Sequence, residues 1–299
     1  MALAVEPPVD PRVEPPVETV VEMADGAPGP AVAPWVEGYL GYRVAGFPPG
    51  LHTGMPSPRL TCILSLDDPI DITAMPGDQA PERIQAIVGG LHTRPARIAH
   101  DGSQFGVSVD LTPLGARALF GLPASELTWQ VVSLDELLGP AARSLPDRLR
   151  ALGSWPERFA VLDEVLAASV AGRARRRGAP PEVAEAFRLL LASGGNVEIG
   201  GVAREVGWSR RHLAERFRQE VGLSPKQTAR LVRFDHAKRL LGATPAGGPR
   251  LATVAATAGY ADQAHFTREF HSLAGATPTA WLAEELPSVQ DGGSTGGAG

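Results

Sequence analysis

The chain has 299 residues, a formal net charge of −5, a hydrophobic content of 43% and a single cysteine, Cys62. That length suffices for two domains with real cores, whereas one cysteine excludes an intrachain disulfide framework and a Cys-rich zinc site. No window approaches the roughly 18 uninterrupted apolar residues of a membrane span. The opening stretch, "MALAVEPPVDPRVEPPVETVVEMADGAPGP", places acids and prolines where a secretory signal needs a basic start and an apolar run, so a cytoplasmic location without a membrane partner is expected.

The charge is unevenly spread. From Arg173 to Trp281 there are 17 Lys and Arg against 9 Asp and Glu, leaving 11 against 24 elsewhere. A polyanion would be attracted to the second half of the chain and repelled by the first.

In chain order, residues 1–33 are Pro-rich and acidic with few large apolar groups and predict a flexible arm. Residues 34–172 begin with short apolar runs punctuated by Pro and Gly, among them "RLTCILSL", "PIDITAM", "RIQAIVGGL" and "FGVSVDLTPLG", a pattern of antiparallel strands in a sandwich or barrel. Two helices are expected next, with Leu145, Leu149 and Leu152 on one stripe and Phe159, Leu162, Leu166 and Val170 on another, interrupted at "SWP". Each stripe either packs on its own domain or forms a dimer seam, so monomer and homodimer both stay open. The run "GRARRRGAPPE" predicts a linker over 173–182. A helical domain is expected over 183–285, and the polar, Gly-rich residues 286–299 read as a second flexible segment.

The helical half contains one pattern written twice. Val202, Ala203 and Gly207 recur as Val254, Ala255 and Gly259, and Phe217, Gly222 and Pro225 recur as Phe270, Gly275 and Pro278, one extra residue lying in the second turn. In the first copy, Ile199, Val202, Ala203 and Val206 keep helical spacing, Gly207 suits a left-handed C-terminal position, and Ser209 suits an N-cap. That is helix, tight turn, helix. Leu213 and Phe217 face inward, which turns Arg210, Arg211, Ala214 and Arg218 to other faces. In the second copy Phe266 and Phe270 take the apolar places and Asp262 the cap, while Gln263, Ala264, Thr267 and Arg268 look outward. The residues that stay fixed hold the unit's shape, and those that differ lie on its surface.

An apolar-backed helix bearing Arg and Gln can enter a major groove, where Arg donates to guanine O6 and N7 and Gln pairs with adenine N6 and N7. Between the copies, "SPKQTARLVRFDHAKRLLGAT" predicts a long helix opened by Ser224 and Pro225. From Ser224 to Leu241 it spans about 27 Å, enough to hold two such helices near one DNA turn apart, about 34 Å.

These residues resemble the DNA-binding domain of AraC/XylS-type bacterial transcription regulators, in "VAREVGWSRRHLAERFRQEVGLSPKQTARLVRFDHAKRLL" and "VAATAGYADQAHFTREFHSLAGATPTAW". The resemblance implies seven helices in two helix-turn-helix subdomains joined by a long helix. It also implies a sequence-specific regulator bound to double-stranded promoter DNA. The candidate contacting residues are Ser209, Arg210, Arg211, Ala214, Glu215 and Arg218 in the first unit and Gln263, Ala264, Thr267 and Arg268 in the second. Ala264 departs from the longer polar residue often found there, and Glu215 is placed either to accept from cytosine N4 or to pair with Arg211 or Arg218. His212 and His265 read as solvated surface, with a phosphate contact as the other option.

The expected fold class is therefore α+β: an N-terminal β-rich domain, a cupin-like barrel or sandwich by the family's habit, then helices, then the all-α tandem domain. The resemblance leaves a small-molecule effector and RNA polymerase as further partners. His52, Cys62, His92 and His100 match no metal-ligand spacing, and Cys62 lies in an apolar run where an inert thiol is expected. No nucleophile elbow, phosphate loop or dinucleotide fingerprint occurs, so no cofactor and no enzymatic activity are expected. The rivals are a barrel-type metal-dependent enzyme with an accessory helical domain, and an architectural DNA-binding or protein-interaction module.

Overall fold

Among the described residues ten strands precede most of the helices: β1 (Val20–Gly26), β2 (Val36–Ala45), β3 (Gly50–Gly54), β4 (Leu60–Ser65), β5 (Ile70–Ala74), β6 (Glu82–Ile84), β7 (Ala86–Gly89), β8 (Ala96–His100), β9 (Gln104–Leu111) and β10 (Val131–Ser133). The computed structural model describes residues 19–173, 178–243 and 251–284. Six strands form one antiparallel sheet in the order β1-β2-β9-β4-β7-β10, and four form another, β3-β8-β5-β6.

Period-two alternation explains how the sheets are used. On β4, Cys62 and Leu64 point to one face and Ile63 to the other; on β7, Ala86 and Val88 oppose Ile87 in the same way. Ile63 and Ile87 meet Ile70, Ile72, Ile84 and Ile98 of the smaller sheet, so the two sheets form the sandwich alternative of the sequence reading. The opposite face of the large sheet packs on helices.

Those helices are more numerous than the two expected. They comprise α1 (Ala116–Leu119), α2 (Leu134–Leu138), α3 (Leu145–Arg150) and α4 (Trp155–Arg173), with 3-10 turns at Pro113–Gly115, Ala124–Leu127 and Pro140–Ser144. Leu145 and Leu149 of α3 and Phe159, Leu162 and Leu166 of α4 are buried in the core of their own chain. The dimer-seam reading of these stripes is thereby overturned, because side chains committed to the sheet present no apolar face to a second copy.

The expected flexible arm is also corrected in part: Val20–Gly26 is a strand pairing along β2. Its outer residues Val20, Val21 and Met23 are exposed, and the α4 side chains hold this region in place. The Trp155 indole N–H donates to Glu22 at 2.7 Å, the Gly29 amide donates to Asp163 at 3.0 Å, and the Tyr39 hydroxyl donates to Asp163 at 2.6 Å. Burial, reinforced by the Asp163 carboxylate, holds the Tyr39 phenol well above its usual range. Residues 1–18, Arg175, Arg176 and Arg177 of the expected linker, and the expected tail lie outside the described residues.

The second half holds α5 (Pro181–Ala192), α6 (Ile199–Glu205), α7 (Arg210–Val221), α8 (Pro225–Gly242), α9 (Leu251–Thr257), α10 (Gln263–Ala274) and α11 (Pro278–Glu284). Helix α8 carries a complete capping box: the Gln227 amide donates to Ser224 Oγ at 3.3 Å and the Ser224 amide to Gln227 Oε1 at 3.0 Å. Thr228, Leu231, Val232, Phe234, Asp235, Ala237 and Lys238 are all buried. This helix is thus the domain's central strut, packed on most sides, which explains its weak amphipathic pattern in sequence.

Candidate nucleic-acid interface

The two units are built alike. In the first, α6 is followed two residues on by Gly207, whose φ of 72° lies in the left-handed region; in the second, α9 is followed likewise by Gly259 with φ of 80°. Ser209 Oγ accepts from the His212 amide at 3.2 Å, and Asp262 Oδ1 accepts from the His265 amide at 2.6 Å. Each cap satisfies an amide that the first turn would otherwise leave without a partner. Leu213 and Phe217 of α7 and Phe266 and Phe270 of α10 are fully buried, so both second helices are pinned by i, i+4 apolar pairs on the inner face.

The outer faces are open. Arg210, Arg211, Glu215 and Arg218 are exposed on α7 and Ala214 is half-buried; on α10, Gln263, Ala264 and Arg268 are exposed and Thr267 is half-buried. Among the described residues no ion pair joins Glu215 to Arg211 or Arg218, so Glu215 is not drawn into its own helix's charge pattern. Ser209 spends its hydroxyl on the cap. The histidines do more than face solvent: His212 sits edge-on to Trp208 at 4.6 Å between ring centroids, and His265 edge-on to Tyr260 at 5.3 Å. In both units the aromatic residue of the turn thus braces the first turn of the outward-facing helix.

Helix α7 is fixed from behind. Arg117 of α1 makes a two-pronged pair with Glu220, Nε to Oε2 at 2.6 Å and Nη2 to Oε1 at 2.9 Å, and Ser125 Oγ donates to the Gln219 carbonyl at 2.7 Å. Hydrogen bonding to Glu220 raises the Arg117 pKa. Helix α8 is held by a charge network around the buried Asp235: Arg59 Nη1 donates to Asp235 at 3.1 Å and pairs with the exposed Glu37, while the half-buried Asp110 lies 3.9 Å from Arg59 Nε. Burial disfavours the Asp235 charge, but Arg59, Lys238 and Arg239 overcome it and lower its pKa. At Asp110 burial wins, and its pKa is pushed up to about 6.

The segment 202–284 matches the family model described as "Helix-turn-helix domain", and 25–133 matches a "Domain of unknown function (DUF6597)". Over 96 residues the chain is 35% identical to the arabinose operon regulatory protein of Escherichia coli, a stretch that is 32% of this chain and 32% of that protein. The chain therefore spans about a third of the length of this curated relative. Over its C-terminal domain the chain is therefore similar to AraC-type regulators. ToxT from Vibrio cholerae has a similar fold, with a TM-score of 0.51 at 12% identity over 82% of this chain and 97% of that one. A ToxT structure described as bound to an unsaturated fatty acid gives 0.50 at 10% identity over 88% and 94%.

The seven helices implied by the resemblance are, among the described residues, α5 to α11. Sequence reasoning missed the cations of α8 that lie between the two units, Lys226, Arg230 and Arg233. Their signal was the basic spacing that follows Ser224-Pro225, which reads equally well as a solvated face. It also missed Arg59, Arg117 and Glu220, since pairs separated by more than a hundred positions leave no local pattern. Cys62 is buried and burial pushes its thiol up to about 12, and among the described residues no three His, Cys, Asp or Glu side chains gather as a metal ion requires. No described helix is long and apolar enough to cross a membrane.

Proposed function

We propose that the chain is a transcriptional regulator that binds promoter DNA through both helix-turn-helix units, with α7 and α10 entering successive major grooves. The observation that carries this reading is the pairing of two identically built units with different open faces. Arg210, Arg211, Ala214, Glu215 and Arg218 stand on one and Gln263, Ala264, Thr267 and Arg268 on the other. Basic residues around both units supply salt-dependent attachment to phosphates, while Arg211, Gln263 and Arg268 discriminate bases, each worth about 1–3 kcal/mol where two bonds form to one base.

Control by a small molecule belongs to the same reading. The N-terminal sandwich holds a cavity of about 300 Å³ lined by Tyr42, Ser65, Arg83, His100 and Phe105 among others, and the fatty-acid-bound ToxT shares the overall fold. Contacts from Arg117, Ser125 and Arg59 to α7 and α8 give a bound effector a direct mechanical route to the first recognition helix. RNA polymerase is the further partner that activation would require.

The deciding experiment compares wild type with Arg211→Ala and Arg268→Ala in sequence selection and footprinting. Each variant is expected to lose preference at its own segment of the site while keeping its fold, because both side chains are exposed. Unchanged preference in both variants refutes the assignment.

A further inference from the structure

The units α6–α7 and α9–α10 are separated by an open cleft of about 920 Å³ whose lining is basic on balance: Arg210 at the start of α7, Lys226, Arg230 and Arg233 along α8 and His265 of α10, against the carboxylates of Glu198 and Glu269. Glu198 is exposed and lies 3.7 Å from Arg204, a residue outside the cleft's lining, so the floor is organised by Glu269. Glu269, only 9% exposed, lies 3.2 Å from Arg230 Nε and 3.7 Å from Arg233 Nε. Arg233 also stands over the Tyr260 ring at 5.2 Å. These contacts fix the two guanidinium groups without exhausting them, since each carries five N–H donors, and the Arg230 side chain remains 32% exposed. Arg210 and Lys226 at the rim are exposed, and among the described residues neither takes part in an ion pair.

Two unpaired cations above two pinned guanidiniums make a site for an extended anion, and its position suggests which one. The cleft is bounded by the first turn of one outward-facing helix and the first turns of the other. When two helices occupy successive major grooves on one face of a duplex, the backbone strands between those grooves must pass between them. The occupant with matching charge and continuity is the sugar-phosphate backbone itself.

We propose that this cleft seats the DNA backbone between the two major-groove segments, with Arg210, Lys226 and Arg230 donating to phosphate oxygens and Glu269 holding Arg230 in place. The inference rests on the DNA-binding reading above. It assigns these cations to affinity and register; sequence choice belongs to the outward helix faces.

The test measures binding of the full chain to a random-sequence duplex pool and to its selected sequence, across a series of salt concentrations, for wild type, Arg210→Ala and Lys226→Ala. One lost phosphate contact lowers the slope of log K against log salt by about 0.9. Each variant's deficit relative to wild type should therefore shrink about 3.5-fold between 50 and 200 mM salt. Preference for selected over random duplex should stay as in wild type. Unchanged slopes in both variants, with wild type still binding selectively, overturn the backbone seat and leave the DNA-binding reading standing. A loss of preference in either variant overturns it as well, by assigning that residue to a base. Failure of wild type to bind either duplex overturns both together.

Discussion

Replacing Arg117 by alanine leaves the Glu220 carboxylate, 9% exposed, without the two charge-assisted bonds that now neutralise it. Breaking a fully buried ion pair from one side costs about 3–5 kcal/mol. Here the Arg117 side chain is itself 30% exposed, so water entering the vacated space recovers part of that, and about 2 kcal/mol is the expected loss. Because the pair joins α1 to α7, the loss should fall on the last turn of α7 and the adjoining 3-10 turn at Ala124–Leu127. A loss of about 2 kcal/mol corresponds to roughly 30-fold faster amide exchange through local opening. Hydrogen exchange resolved by peptide is the assay, with Glu220→Gln and the double variant completing a thermodynamic cycle. The double variant should recover part of the loss, because the unpaired charge is then gone. Exchange at α7 within twofold of wild type in Arg117→Ala would refute the reasoning and reduce the pair to a surface contact.

Further outcomes follow from the half-buried Asp110 and the left-handed glycines. Asp110 has its folded pKa raised to about 6 from an ordinary 3.8, so its contribution to stability is fully present below the unfolded value and is lost as pH rises through the folded one. Asp110→Asn should therefore melt higher than wild type above pH 6 and converge with it near pH 4, and a difference independent of pH in thermal scans would contradict this. Gly222 has φ of 92° and a Cβ there would collide with Thr128, whereas Gly207 has φ of 72° and open space around it. Gly207→Ala should cost about 1–2 kcal/mol for the left-handed backbone alone, and Gly222→Ala clearly more in urea denaturation; equal losses would show that Thr128 gives way freely.

The helical half was legible because its determinants are local. Caps at Ser209 and Asp262, glycines at 207 and 259, and apolar pairs four apart act within a few residues of one another, and the repeat wrote them twice. The β half was legible as alternation, which fixes that strands exist and which residues share a face, but not which strand lies beside which. Strand β1 escaped notice because it is an edge: Val20, Val21 and Met23 face solvent, so acids and prolines upstream dominated the reading. The long helix α8 read as a spacer because Asp235 and Lys238 look like surface residues, and only Arg59, 176 positions before Asp235, reveals that the charge is buried. Of the interface, the outward faces could be read from helical geometry. The cleft between them could not, since it exists only once both units are packed on α8.

In-vitro selection of duplex DNA by the full chain tests the central claim most directly. Different side chains on α7 and α10, Arg211 against Gln263 and Arg268, should select two dissimilar segments in fixed order with centres about one helical turn, roughly 34 Å, apart. That composite is expected whether it appears once or is repeated by an oligomer. Recovery of one segment alone, or of no preferred sequence at physiological salt, would contradict the account.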